Sequence, residues 1–178
     1  MGQKIRRIVT GHDDKGKAII MINDLASNST EIKGWPGLWV TELWTTNETP
    51  ADNNGSTDRG ARPMRHDPVP NGTIFRVVEI PPESKTQGID AKAAFEHLGS
   101  ANKPRAEDSA KHASMHKTKS IDYLVVIAGE MWMVMEEGEV LLRAGDCIVQ
   151  RGTNHAWVNK SDKPCLLVAI LIDANPAP

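Results

Sequence analysis

Short apolar runs alternate with glycine-containing turns over the last third of the chain. One apolar run extends from Asp122 to Ala128, Gly129 marks a turn, and a second run continues to Met135. Further short runs cover residues 139–142, 147–150 and 156–159. Closely spaced runs separated by turns are typical of antiparallel strands, and they leave no room for crossover helices. The pattern therefore predicts an all-β barrel or sandwich.

The first half of the chain shows the same pattern. Residues 4–10 and 17–23 are β-branched runs joined by a polar turn that contains His12, which predicts a hairpin with His12 in its loop. Residues 38–45 and 73–80 predict two further strands. The run 38–45 carries large residues on both faces, so we expect it to be buried on both sides.

Two segments interrupt the strands. Residues 47–71 form a long polar loop with a cluster of cationic side chains: Arg59, Arg62, Arg65 and His66. They either form a patch for an anionic substrate over the barrel mouth or keep a solvated loop soluble. Residues 83–114 contain helix formers around 90–98, with Asp90 as N-cap and Phe95 and Leu98 facing inward. We expect this insertion to be a lid or a dimer-contact arm.

Composition narrows the range of functions. The chain has 178 residues, a length that suits one domain. Its formal net charge is −2. It has no basic run, so nucleic acid and anionic membranes are not indicated as partners. The N-terminal residues show no signal-peptide pattern and no run is long enough to span a bilayer, which predicts a cytoplasmic protein. Cys147 and Cys165 lie in apolar runs and are expected to be buried free thiols.

The segment 116–159 resembles the two sequence motifs of the cupin superfamily. The second motif is carried by Gly145, Asp146, Gly152, His155 and Asn159. The first motif is carried by His116, Asp122 and Gly129, with Thr118 where a second histidine is usual and Asp122 where glutamate is usual.

The resemblance implies a single cupin domain over 1–178, an antiparallel jelly-roll barrel. Its parts would be the N-terminal strands 1–46, the loop 47–71, the insertion 83–114 and the core strands 115–172. It also implies a homodimer that packs or exchanges the strand 4–10.

The resemblance further implies a divalent metal, Fe, Mn, Ni or Zn, held by His116, Asp122 and His155. His112 and Gln150 are the candidates for a catalytic role beside it. Asp122 is shorter than the usual glutamate, and Thr118 offers only a hydroxyl.

Three functions stay open at this point. The chain is a metal-dependent enzyme acting on a small oxygen-rich or carboxylated molecule as dioxygenase, decarboxylase or lyase. Alternatively, it is a metal-free cupin in which His116 or His155 is the acid or base, or a module that binds a small molecule without turnover.

Overall fold

A computed structural model describes residues 2–86, 88–100, 104, 107 and 111–176. Within them, eleven strands form three antiparallel sheets. The strands are β1 (Arg6–His12), β2 (Ala18–Leu25), β3 (Ser29–Glu31), β4 (Trp39–Thr46), β5 (Thr73–Ile80), β6 (Ser120–Ala128), β7 (Glu130–Met135), β8 (Glu139–Arg143), β9 (Cys147–Gln150), β10 (His155–Val158) and β11 (Cys165–Asp173). A 3₁₀ turn (Glu83–Lys85) and the helix α1 (Ala91–His97) lie between β5 and β6. The prediction of an all-β fold with one short helix is confirmed.

Two of the sheets enclose the core. The larger has the strand order β3-β4-β5-β11-β6-β9, and the smaller has the order β10-β7-β8. Their inner faces contribute to one cluster of buried apolar side chains that includes Ile74, Val126, Met131 and Leu167. The sheets therefore pack face to face, as two layers of a jelly roll do.

Strand alternation places one row of side chains inside. Along β11, Leu167, Ala169 and Leu171 point inward, while Ile170 on the opposite face is exposed. Ala169 lies in register between Arg76 of β5 and Leu124 of β6. A charged residue, Arg76, therefore stands on the inner face of the larger sheet.

The strand 73–80 is observed as predicted, whereas the N-terminal hairpin differs in detail. β1 continues through His12, so this histidine is a strand residue and not a loop residue. The turn begins at Asp13, whose carboxylate accepts hydrogen bonds from the backbone N–H groups of Lys15 and Lys17. This Asx-type turn needs only the residues after His12, which allows His12 to pair with Ala18.

The predicted helix is confirmed. The Asp90 side chain caps α1 by accepting a hydrogen bond of 3.0 Å from the backbone N–H of Ala93. Phe95 and Leu98 are buried, as expected. Much of the remaining insertion, residues 101–103, 105, 106 and 108–110, lies outside the described residues.

The prediction for the cysteines was half wrong. Cys165 is a buried free thiol, but Cys147 is exposed. Cys147 opens β9, the edge strand of the larger sheet, and its side chain points to the outer face. Burial raises the pKa of the Cys165 thiol to about 11.

The hairpin β1-β2 forms a sheet of its own with exposed apolar side chains. Ile8 is 55% exposed and Ile20 is 64% exposed. Arg7 connects β1 to the long loop through a bidentate ion pair with Asp58, at 2.6 and 2.7 Å. The predicted dimer contact through this hairpin stays a prediction.

Candidate functional site

His116 and His155 are joined through their backbones. The N–H of each residue donates to the C=O of the other at 3.0 Å, which makes them a bridged antiparallel pair. Side chains of such a pair project from the same face, and here the two ring centroids are 4.5 Å apart. These two residues, distant in sequence, therefore place their imidazoles side by side because of strand pairing alone.

Backbone carbonyls orient both rings. Nδ1 of His116 lies 2.9 Å from the Ser114 carbonyl, and Nδ1 of His155 lies 2.9 Å from the Thr153 carbonyl. A carbonyl oxygen can only accept, so the contact of His116 favours the tautomer with hydrogen on Nδ1 and a lone pair on Nε2. At His155 the amide nitrogen of Gln150 also contacts Nδ1, and an amide N–H can donate to a ring nitrogen.

Burial keeps both imidazoles neutral. The pKa of His116 lies well below its usual range because the ring is buried and because His155 and His66 are close. Burial lowers the pKa of His155 to about 4, although the Thr153 carbonyl opposes this shift. At neutral pH the pair therefore offers two unprotonated nitrogen lone pairs.

The two rings line a cavity of about 110 Å³ inside the jelly roll. Most of its wall is apolar and aromatic: Trp35, Leu38, Val40, Val78, Ile80, Phe95, Leu98, Leu124, Trp157, Leu167, Ala169 and Leu171. A smaller set of polar side chains faces the same space: His66, Arg76, His116, Thr118, Asp122 and His155. A mostly apolar cavity with a few polar groups is the usual form of a small-molecule site.

A third histidine reaches this cavity from the long loop. The His66 ring centroid lies 5.3 Å from that of His116 and 5.3 Å from that of Phe95. Nδ1 of His66 is 3.0 Å from a carboxylate oxygen of Asp67, which accepts the Nδ1 hydrogen. His66 is thus an imidazole of the cavity wall with a carboxylate partner of its own.

Helix α1 covers the same rings. Phe95 packs edge-on against His116 with their ring centroids 4.7 Å apart. Phe95 and Leu98 therefore form part of the cavity wall, and the role of the insertion as a lid or a dimer-contact arm stays a prediction.

A buried ion-pair network stands behind the polar wall. Glu42 of β4 is fully buried and pairs with Arg76 at 2.7 Å and with Arg62 at 2.8 Å. Asp122 accepts a hydrogen bond of 2.6 Å from the Ser120 hydroxyl. Burial raises the pKa of Asp122, although Ser120, His66 and Arg76 each favour its charged form.

The site brings together some of the predicted residues and not others. His112 does not line this cavity, because its ring is held between Ser114 at 2.7 Å and Glu83 at 3.0 Å. Gln150 is buried and contacts His155, so it can position that ring without lining the cavity itself.

The cationic residues of the loop are engaged elsewhere. Arg59 pairs with Glu48, Arg62 pairs with Glu42, and Arg65 donates to Asn47. Two arginines of the patch considered for an anionic substrate, Arg59 and Arg62, are therefore ion-paired within the chain, and Arg65 is hydrogen-bonded to a neutral amide. Only His66 of this cluster lines the cavity.

Two residues of the second motif, Gly152 and Asn159, have structural roles. Gly152 adopts φ +64°, and a Cβ at this position would lie 2.7 Å from the Thr118 carbonyl oxygen. Asn159 donates to the carbonyls of Ile80 and Lys163 and so fixes the turn after β10.

Comparisons with known proteins agree with this architecture. Residues 103–171 match the family model described as Cupin domain. Over these residues the chain is a cupin domain.

Two curated fungal relatives illustrate its similarities. The Cupin-domain-containing oxidoreductase fogC of Aspergillus ruber is 27% identical over 180 residues, which cover 97% of this chain and 74% of the relative. The Phomopsin biosynthesis cluster protein C' of Diaporthe leptostromiformis is 47% identical over 110 residues, covering 61% of this chain and 44% of the relative. The matched region is therefore less than half of the second relative.

A solved structure offers a weaker likeness. The Cupin 2 conserved barrel domain protein from Salinispora arenicola is 13% identical, with a TM-score of 0.41. The match covers 81% of this chain and 82% of that chain. In the described part of this cupin, no helix combines the length and apolar character needed to cross a membrane.

The metal set expected for a cupin does not fit the described residues. Among them, no group of three or more His, Cys, Asp or Glu side chains has the geometry that a metal ion requires. Thr118 supplies a buried hydroxyl in place of an imidazole, and Asp122 is held by Ser120. The ligand set His116, Asp122 and His155 stays a prediction.

Sequence reasoning missed Arg76 and Asp67 of this cupin. Arg76 was detectable, because it occupies the inward position between Ile74 and Val78 of an alternating strand. A charge at such a position indicates a buried pair or a site. Asp67 carries no comparable signal, because its contact with His66 depends on the path of the loop.

Proposed function

We propose that this cupin is an enzyme that binds a small, largely apolar molecule carrying a carbonyl group and moves a proton next to that group. The observation that carries the proposal is the placement of three imidazoles on the wall of one mostly apolar cavity. Imidazoles in hydrogen-bond reach of a bound molecule are the commonest general acids and bases.

The size and lining of the cavity support this substrate class. Its volume of about 110 Å³ is of the same order as the roughly 150 Å³ cavities that take up one benzene ring. Phe95, Trp35 and Trp157 supply flat apolar faces against which a ring can pack.

His66 is the proposed base. Asp67 accepts its Nδ1 hydrogen, so Nε2 carries the lone pair, and the carboxylate stabilises the imidazolium that forms when a proton arrives. His116 and His155 have backbone carbonyls at Nδ1 in place of a carboxylate, and both residues are buried, where a positive charge is poorly solvated. We assign them to contacts with donor groups of the substrate.

Deuterium exchange tests the proposal directly. The purified cupin is incubated in D2O with 2-indanone, whose methylene groups lie between a ring and a carbonyl, and loss of the methylene proton signal is followed by NMR. We expect faster loss than in buffer alone, and we expect His66→Gln to remove most of the acceleration. His12→Gln, which changes an exposed histidine, is the matched control. Equal rates for the wild type and buffer would contradict the proposal.

A second candidate is the metal-dependent oxidation, decarboxylation or lyase reaction that the cupin motifs imply. The names of the relatives favour it, because fogC is named an oxidoreductase. We infer a role in the modification of a biosynthetic intermediate for either candidate, since the Diaporthe relative is named for a biosynthesis cluster.

A further inference from the structure

Two buried polar groups on the cavity wall lack a hydrogen-bond partner in the described part of the chain. They are Nε of Arg76 and the hydroxyl oxygen of Thr118. Arg76 is 4% exposed and Thr118 is 5% exposed. Buried polar groups in folded proteins are nearly always satisfied, so each such group calls for an explanation.

These two groups line the cavity, whereas other buried polar groups without a partner among the described residues do not. Nε of Arg7, Arg62 and Arg65 is also buried without a partner among the described residues, but none of these arginines lines the cavity. Of these groups, those of Arg76 and Thr118 are therefore the ones that can face a molecule bound inside it. A ligand atom that accepts hydrogen bonds would satisfy both.

The chemistry of the two groups selects an oxygen acceptor. The Arg76 Nε–H can only donate, and the Thr118 hydroxyl can donate as well. The remaining polar groups of the wall are acceptors, namely the carboxyl of Asp122 and the imidazole lone pairs. A ligand with a carbonyl oxygen therefore matches the donor character of Arg76 and Thr118.

The charges around Arg76 favour a neutral carbonyl over a carboxylate. Three carboxyl groups, those of Glu42, Asp122 and Asp67, act on the Arg76 guanidinium, and Glu42 is in direct contact with it at 2.7 Å. Arg65 is the cation that opposes them. A ligand carboxylate placed here would meet like charges on several sides.

We propose that Arg76 and Thr118 bind the carbonyl oxygen of a neutral, ring-sized ketone or aldehyde. The inference rests on the proposed function in treating this cavity as the substrate site. When the C–H bond beside the carbonyl breaks, the proton goes to His66, a C=C bond forms, and the carbonyl electron pair moves to oxygen. Arg76 and Thr118 then stabilise the enolate oxygen. Thr118 thus serves a substrate at the position where other cupins have a metal-binding histidine.

Equilibrium binding tests this assignment without relying on turnover. The affinities of 2-indanone and of indane, which has the same shape without the carbonyl, are measured by NMR titration of the full chain. Thr118→Val keeps the side-chain shape and should weaken 2-indanone binding roughly three- to tenfold, the range expected for one neutral hydrogen bond, without changing indane binding. Thr41→Val, at a buried threonine outside the cavity, is the matched control.

A second variant tests the contribution of the Arg76 guanidinium. Arg76→Lys keeps the positive charge opposite Glu42 but removes the Nε–H, and it should also weaken 2-indanone selectively. Its fold is checked first by circular dichroism, and if it fails to fold, the Thr118→Val result decides alone.

Each result bears on the inference. It is overturned if 2-indanone does not bind, if Thr118→Val leaves its affinity unchanged, if both ligands weaken equally, or if indane-2-carboxylate binds more tightly than 2-indanone. Thr118-dependent binding without deuterium exchange would support the carbonyl site and count against the proposed function.

Discussion

Glu42 and Arg76 are direct cross-strand partners that form an ion pair of 2.7 Å inside the jelly roll. Glu42 is fully buried and also holds Arg62 at 2.8 Å. One carboxylate therefore compensates two guanidinium groups, one of which lines the cavity. Burial lowers the pKa of Arg76 and of Arg62, and in both cases Glu42 opposes the shift.

Glu42→Gln should strongly destabilise the fold, because it leaves the buried Arg76 guanidinium without a counter-charge. Breaking a buried pair by removing one partner typically costs about 3–5 kcal/mol. Urea denaturation measures the free energy of unfolding. Glu48→Gln, at the exposed partner of Arg59, should change it little. Equal effects of the two substitutions would show that Glu42 is not the central charge of the network.

Asp67→Asn should reduce the deuterium exchange of 2-indanone, because a neutral amide in place of the carboxylate would not stabilise a protonated His66. We expect a loss of about tenfold or more, in keeping with the usual contribution of acid–base groups. An unchanged rate would remove Asp67 from the mechanism.

Stability should fall as the pH drops below about 6.5. The folded state holds the pKa of His155 at about 4, while the unfolded chain binds a proton near the ordinary value of 6.5. The unfolded state therefore takes up more protons in this window, and stability that is complete above pH 6.5 is lost toward pH 4. The loss from His155 alone is roughly 3 kcal/mol.

His155→Gln isolates this contribution, because burial of Asp122 acts in the opposite direction. The raised pKa of Asp122 gives stability that is present below its ordinary pKa of 3.8 and is lost as the pH rises through its folded pKa. Denaturation from about pH 7 to about pH 4 should therefore show a shallower slope in His155→Gln than in the wild type. Parallel slopes would mean that His155 titrates normally.

Metal content separates the two candidate functions. If the first candidate, the proton-transfer enzyme, is right, the protein carries less than one divalent ion per chain after expression in medium supplemented with iron, manganese, nickel and zinc, in agreement with the lack of a group of three suitable ligands among the described residues. Elemental analysis of the wild type is compared with His116→Ala and His155→Ala. Stoichiometric metal that disappears in both variants would favour the metal-dependent enzyme.

The exposed hairpin should mediate the predicted dimer. Replacing both Ile8 and Ile20 by Glu places charges on an apolar face and should convert a dimer to a monomer. Light scattering gives the mass in solution. His12→Gln, in the same hairpin, should leave the mass unchanged. A monomeric wild type, or a dimeric double variant, would contradict the prediction.

Sequence patterns were sufficient to predict the fold class and part of the candidate site. Alternation defined β5, and cap chemistry defined the start of α1 at Asp90, because both signals are local. The resemblance to the cupin motifs implied that His116 and His155 share one site. The position of His66 depends on a loop whose path is set by distant contacts such as Arg7 with Asp58, which no local pattern encodes.

The outward orientation of Cys147 was missed for a related reason. An apolar run does not reveal which of its two faces is inside until the neighbouring strands are known. Here β9 pairs with β6 in the register that places Gln150 opposite Asp122, which turns Gln150 inward and Cys147 outward.

The backbone bridge between residues 116 and 155 makes the placement of two side chains independent of what those side chains are. Backbone hydrogen bonds fix how residues 116 and 155 pair. A substitution of either histidine therefore places the new side chain in the same space. Relatives that share this bridge could thus acquire new reactions by single substitutions at two positions, with the scaffold that presents them left intact.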